Sequence, residues 1–69
     1  MSALRFLRDC AGAAGDVEQV AICDLAILGE VDPDHMAMLD APQQRRVRRM
    51  TRSQALTICE AEIAAADRE

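Results

Sequence analysis

The chain has 69 residues and a net charge of −4, with twelve aspartates and glutamates set against eight arginines and no lysine. So short a chain forms one domain, residues 1–69, near the lower size at which a single core stabilises a fold, and such cores often lean on disulfides, metals or a second subunit. Phe6 is the lone aromatic residue and glycines are few, which counts against a sandwich or barrel and in favour of helices packed through Ala, Leu, Ile, Val and Met.

In chain order, the first expected helix starts at Ala3 with Ser2 as its cap. Ala3, Leu4, Leu7, Cys10 and Ala11 recur at helical spacing, Gly12 is the expected stop, and Ala11–Gly15 reads as a turn. Arg5 and Asp9, four apart, make an expected surface pair of about 0.3 kcal/mol. Asp16 caps a second helix, with Glu18 in its first turn and Gln19 completing a capping box. This helix runs to about Leu28, where Gly29 ends it. Apolar residues from Val17 to Leu28 surround its axis almost completely, leaving Glu18, Gln19 and Asp24 as its polar members. A helix that is apolar all round must be covered on all sides, and the expected cover is a second copy of the chain. The competing reading of the same run is a buried strand at Leu25–Val31.

Asp32-Pro33-Asp34 is a helix start made of a cap, a proline in the first turn and a carboxylate at the positive end of the dipole. Pro42 restricts Ala41, so this segment should end near Asp40, which can cap the next helix with Gln43 at the third position. That last helix is expected to continue to Asp67. One face collects Gln43, Val47, Met50, Thr51, Gln54, Ile58, Ala61 and Ala65, and the other turns from arginines to Leu56, Cys59 and Ile63. A break at Met50–Arg52, with Thr51 and Gln54 as a capping box, is the alternative. The expected architecture is all-α, a helical hairpin or bundle of three to four helices in an intertwined homodimer. Its interface would be Val20, Ile22, Leu25, Ile27, Leu28, Leu56, Cys59 and Ile63.

Arg45, Arg46, Arg48, Arg49 and Arg52 fall within eight residues, leaving a charge of −9 on the remainder. Placed early in a long helix they would oppose its dipole. Three readings compete: a face balanced internally by Glu30, Asp32, Asp34 and Asp40; a protein-binding surface, for which guanidinium groups are suited; and a nucleic-acid contact, disfavoured by the acidic remainder. Met36, Met38 and Met50 lie nearby and complete a candidate docking patch with the five arginines. The sequence Thr51-Arg52-Ser53-Gln54-Ala55-Leu56 resembles the start of the second helix in ribbon-helix-helix regulators. That resemblance implies a first helix at Asp32–Met50, a ribbon at Leu25–Val31 and a DNA-binding dimer that autoregulates its operon. The ribbon would then present Leu25, Ile27, Gly29 and Val31, or Ala26, Leu28 and Glu30, where the family carries base-reading polar side chains, and Pro42 would fall inside the first helix.

The remaining residues point away from catalysis. The chain has one histidine, no tyrosine and no glycine-rich phosphate loop, while Glu60 and Glu62, two apart, face different directions. His35 is expected to be a surface or capping side chain. Cys10, Cys23, His35 and Cys59 match no metal-ligand spacing, so no metal or cofactor is expected, and the cysteines should pack as free thiols in a reducing cytoplasm. The Val20–Gly29 run, interrupted by Asp24, is too short to cross a bilayer. Asp24 itself, set among apolar neighbours, needs an arginine from the same chain or a second subunit. The expected function is therefore non-enzymatic: a small protein-binding module acting as a helical dimer. Stoichiometric inhibitors and anti-activators encoded by phages or mobile elements have this format. Its target could be a nucleic-acid-binding regulator, whose basic face the acidic stretches Glu30–Asp40 and Glu60–Glu69 would occupy.

Overall fold

A computed structural model describes residues 2–67 as five helices with no strand among them. Helix α1 spans Ala3–Ala14, α2 Val17–Leu28, α3 Pro33–Met38, α4 Ala41–Arg49 and α5 Arg52–Asp67. The expected all-helical class is correct, and the count of three to four becomes five because the last helix divides at Met50 and Thr51.

The ends of the helices are set locally. Ser2 accepts from the Arg5 amide at 3.2 Å, Asp16 from Gln19 at 3.2 Å and Asp32 from Asp34 at 2.9 Å. Asp40 and Gln43 form a complete capping box, at 2.9 and 3.0 Å. Thr51 and Gln54 form a second, at 2.9 and 3.1 Å, and this box opens α5. Asp16 makes only half of its box, because the Gln19 side chain is drawn to the Cys23 and Cys59 sulfurs instead. Gly12 does not stop α1. The helix runs three residues further to Gly15, whose positive φ of 76° lets it close the last turn, and Gly29 does the same for α2 at φ 79°. Leu25–Leu28 is helical, so neither the buried strand nor the ribbon of the ribbon-helix-helix reading forms.

Helix α2 lies at the centre. On one side Ile22, Cys23 and Ala26 pack with Ala55 and Cys59 of α5, supported by Leu4 and Leu7 of α1. On the other, Ala21 packs with Leu39 and with Val47 of α4, supported by Val17, Val31 and Met36. Ala21, Cys23, Ala55 and Cys59 are wholly buried, and such small side chains let the helices approach closely. An axis apolar on nearly every side is thus packed against four helices of its own chain, and it is covered only in part. Of the eight residues expected at a dimer interface, Val20, Ile22 and Cys59 are buried inside the single chain. Leu25, Ile27, Leu56 and Ile63 are half-buried, and Leu28 is exposed.

The one buried charge among the described residues, Asp24, is 1 % exposed and fully engaged. It meets the Arg8 guanidinium at 3.5 Å, the Asp32 amide at 3.3 Å and His35 Nδ1 at 2.5 Å. An arginine of the same chain is the partner that the sequence demanded. His35 was expected at the surface or as a cap; it instead ties α3 to α2, and its bond to Asp24 raises its pKa above the usual 6.5, against the opposing effect of burial. The expected Arg5–Asp9 pair is absent from the ion pairs of the described residues.

Candidate functional site

Because α4 ends at Arg49, three of the five arginines occupy its last turn, where cations are favoured by the carbonyl end of the dipole, while Arg52 opens α5. The expected opposition to the dipole is reversed: Arg46, Arg48 and Arg49 lie at the negative end of a nine-residue helix. Val47 is the buried anchor of α4.

The five arginines then separate by what they touch. Arg46 reaches across to α2, with Nη2 and Nε donating to one Glu18 oxygen at 2.6 and 3.2 Å. Arg52 donates from Nε to the Ala26 carbonyl at 3.1 Å and from Nη2 to that of Ile27 at 3.3 Å, satisfying carbonyls left open at the end of α2. Arg45, Arg48 and Arg49 form no hydrogen bond or ion pair with the described residues. The carboxylates expected to balance the cluster, those of Glu30, Asp32, Asp34 and Asp40, make no ion pair with it; among the described residues Glu18 does.

Between α4 and α5 lies an open groove of about 520 Å³, lined by Arg46, Arg49, Met50, Ser53, Gln54, Thr57 and Ile58. Its hydrogen-bonding capacity can be counted atom by atom. Gln54 uses its Oε1 in the capping box, so its amide N–H groups stay free to donate. Thr57 gives its hydroxyl proton to the Ser53 carbonyl at 3.1 Å and retains only acceptor capacity. Arg49 brings its whole fork of donors, and the half-buried Met50 and Ile58 supply apolar contact. A donor-rich rim over a small apolar floor suits a carboxylate flanking an aliphatic side chain.

The expected docking patch is divided by the fold. Met50 joins Arg46 and Arg49 in the groove, whereas Met36 of α3 packs against the cluster of Ala21, Leu39 and Val47. Met38, 65 % exposed, lines a second cleft of about 200 Å³ with Gly12, Gly15, Val17, Val20 and His35. Ser53, Gln54, Thr57 and Ile58 were not singled out as site residues from the sequence. The signal that could have found them is the Thr51–Gln54 capping box, since a break there turns the first face of α5 into a wall opposite α4.

The buried thiols of Cys23 and Cys59 stand 3.8 Å apart beneath α5. Burial, with Cys23 beside it, pushes Cys59 up to about 12, which suits packing and not nucleophilic chemistry. Among the described residues no group of three or more His, Cys, Asp or Glu side chains is placed to hold a metal ion. No described helix is long and apolar enough to cross a membrane. Of the acidic stretch Glu60–Glu69, residues 68 and 69 lie outside the described residues. No protein-family model matches this chain, and neither the curated proteins nor the solved structures searched gave a match.

Proposed function

We propose that this chain is a non-enzymatic protein-binding module that docks an acidic helical segment of another protein along the α4–α5 groove, working stoichiometrically as an inhibitor or anti-activator. One observation carries the reading: Arg45, Arg48 and Arg49 are left without partners among the described residues, near an open groove that Arg49 lines, in a chain with carboxylates to spare. Stability does not ask for this. One or two cations satisfy a helix end, and like charges three or four apart, as in Arg45 with Arg48 and with Arg49, cost a few tenths of a kcal/mol. Guanidinium groups with unused donors next to Met50 and Ile58 instead resemble the anchors of protein interfaces. DNA binding loses its structural support with the missing ribbon, and the acidic remainder repels a polyanion.

The test is affinity capture from a bacterial lysate on the immobilised chain, with the Arg45→Glu/Arg48→Glu/Arg49→Glu protein alongside. A defined partner, retained by the native chain and lost on charge reversal while the circular dichroism is unchanged, is the expected result. Retention of the native chain on random duplex DNA at low salt, with no protein captured, would replace this reading by the nucleic-acid one.

A further inference from the structure

The second cleft, bordered by α1, the start of α2 and α3, shares no residue with the α4–α5 groove. Its volume of about 200 Å³, at about 30 Å³ for each molecule of liquid water, suits a ligand of about six or seven heavy atoms. Val17, Val20 and Met38 make its walls apolar, and His35 is the one strong hydrogen-bonding side chain among its lining residues. The loop amides offer nothing further. Those of Gly15, Val17 and Val20 already donate to the carbonyls of Gly12, Gly15 and Asp16, at 3.2, 3.1 and 3.1 Å.

His35 is held for this position from behind. Its Nδ1 is bound to the buried Asp24 carboxylate, while Nε2 makes no hydrogen bond with the described residues. The side chain is 33 % exposed, and with Nδ1 turned inward its open edge carries Nε2. The hydrogen bond to Asp24 does most to raise the His35 pKa; burial and Arg8 oppose it, and the charges of Asp24 and Asp32 add to it. Once His35 is protonated, Asp24 sets one negative charge against two positive ones, those of Arg8 and His35. One positive charge is left over, with one N–H to express it.

Gly12 supplies an independent sign that the space is kept. It lies inside α1 and has no positive φ, unlike Gly15 and Gly29, and a glycine there costs helix stability relative to alanine. A Cβ at this position would meet nothing nearer than a Val20 methyl group at 4.0 Å, so packing does not require glycine either. What the missing side chain does is leave the cleft open beside Val20.

We propose that this cleft binds a short aliphatic monocarboxylate, with its tail on Val17, Val20 and Met38 and its carboxylate on Nε2 of His35, which Asp24 orients. One anionic group matches the single charged donor. A phosphate or dicarboxylate would bring more charge than one imidazolium among apolar walls can satisfy. The site goes beyond the protein-binding reading and needs none of Arg45, Arg48 or Arg49.

His35 is the one histidine of the chain, so its imidazole resonances report on the cleft without ambiguity in a nitrogen-15 NMR titration. The probe is 3-methylbutanoate, which has seven heavy atoms, at constant ionic strength and near pH 6.5, where histidine titrates. A saturable His35 shift is expected, with a Kd on the order of 1 mM, together with a further rise of the His35 pKa in the bound protein. The uncharged 3-methylbutanamide, of the same shape, should bind about tenfold more weakly, and so should acetate, which lacks the tail. Gly12→Leu should fill the cleft and abolish the shift while the free protein keeps the native His35 pKa, which shows the Asp24 pair intact. No saturable shift overturns the proposal. So does amide binding equal to that of the acid, which marks a merely greasy cleft, or acetate binding as tightly, which marks diffuse attraction to charge. Unchanged binding by Gly12→Leu places the ligand elsewhere and overturns it as well.

Discussion

Around Asp24, opposite charges from α1, α2 and α3 converge until its carboxylate is used up, while along the outer side of α4 like charges are set next to one another and left open. Both regions are rich in ionisable groups, yet they differ in solvation and in what they are for. A carboxylate 1 % exposed is tolerable only because Arg8, His35 and the Asp32 amide replace its lost water. Arg45, Arg48 and Arg49 keep their water, need no partner to be stable, and therefore remain available to one. Closed charge holds this fold together; open charge is what it presents to its surroundings.

The sharpest way to break the comparison is to strip the closed cluster. Arg8→Met with His35→Ala leaves a buried carboxylate with a single backbone donor, and the double variant should lose about 3–5 kcal/mol of stability at neutral pH in urea titrations. In a domain of this size that is most of what a core supplies, so a largely unfolded protein is the expected outcome. A loss under about 1 kcal/mol would mean that Asp24 reaches water in solution.

A milder probe leaves the side chains in place and titrates one of them. His35 gains affinity for its proton on folding, first through its hydrogen bond to Asp24 and further through the charges of Asp24 and Asp32, while burial and Arg8 oppose it. A group whose folded pKa is raised contributes stability that is complete below its unfolded value, near 6.5, and fades as the pH rises through the folded value. Urea midpoints should therefore fall as the pH rises above about 6.5 in the native chain, and that slope should flatten in His35→Gln. An identical slope in both proteins would place the titrating group elsewhere.

How far these two regions could be read from the sequence differs in an instructive way. Every cap spans two or three residues, so Ser2, Asp16, Asp32 and Asp40 announce their helices without tertiary information. The need of Asp24 for an arginine was legible from its apolar neighbours on the α2 wheel, but its bond to His35 depends on how the Gly29–Asp32 connection folds α3 back. The all-round apolar character of α2 was also legible. Its cover was not, because one long helix from Asp40 to Asp67 cannot wrap α2 on two sides, whereas α4 and α5, hinged at Met50 and Thr51, can. The same hinge moves Arg46, Arg48 and Arg49 from the start of a helix to the end of one and creates the groove. The break at Met50 and Thr51 thus sets both the helix number and the end of the dipole at which Arg46, Arg48 and Arg49 lie.

Arg52 belongs by sequence to the open cluster and by contact to the closed one, so it tests where the boundary lies. Arg52→Gln removes the charge and the fork that hold the Ala26 and Ile27 carbonyls, and about 1 kcal/mol should be lost. Arg46→Gln should cost less, about 0.2–1 kcal/mol, because its pair with Glu18 is largely in water, with the arginine side chain 58 % exposed.

The smallest expected effect is at the open end of the series. Arg45 and Arg48 touch no described carboxylate, and each sits three or four residues from another arginine, so Arg45→Gln and Arg48→Gln remove a little repulsion along with a little solvation. Arg48 also gives up a favourable place in the last turn of α4, which Arg49 and Arg46 still fill. These contributions nearly cancel, and urea midpoints should stay within about 0.5 kcal/mol of the native chain. Affinity for a captured partner should move in the other direction and fall clearly for the same two proteins. Stability that falls with affinity would show these arginines to be part of the scaffold, and the division between closed and open charge would fail at the residues meant to define it.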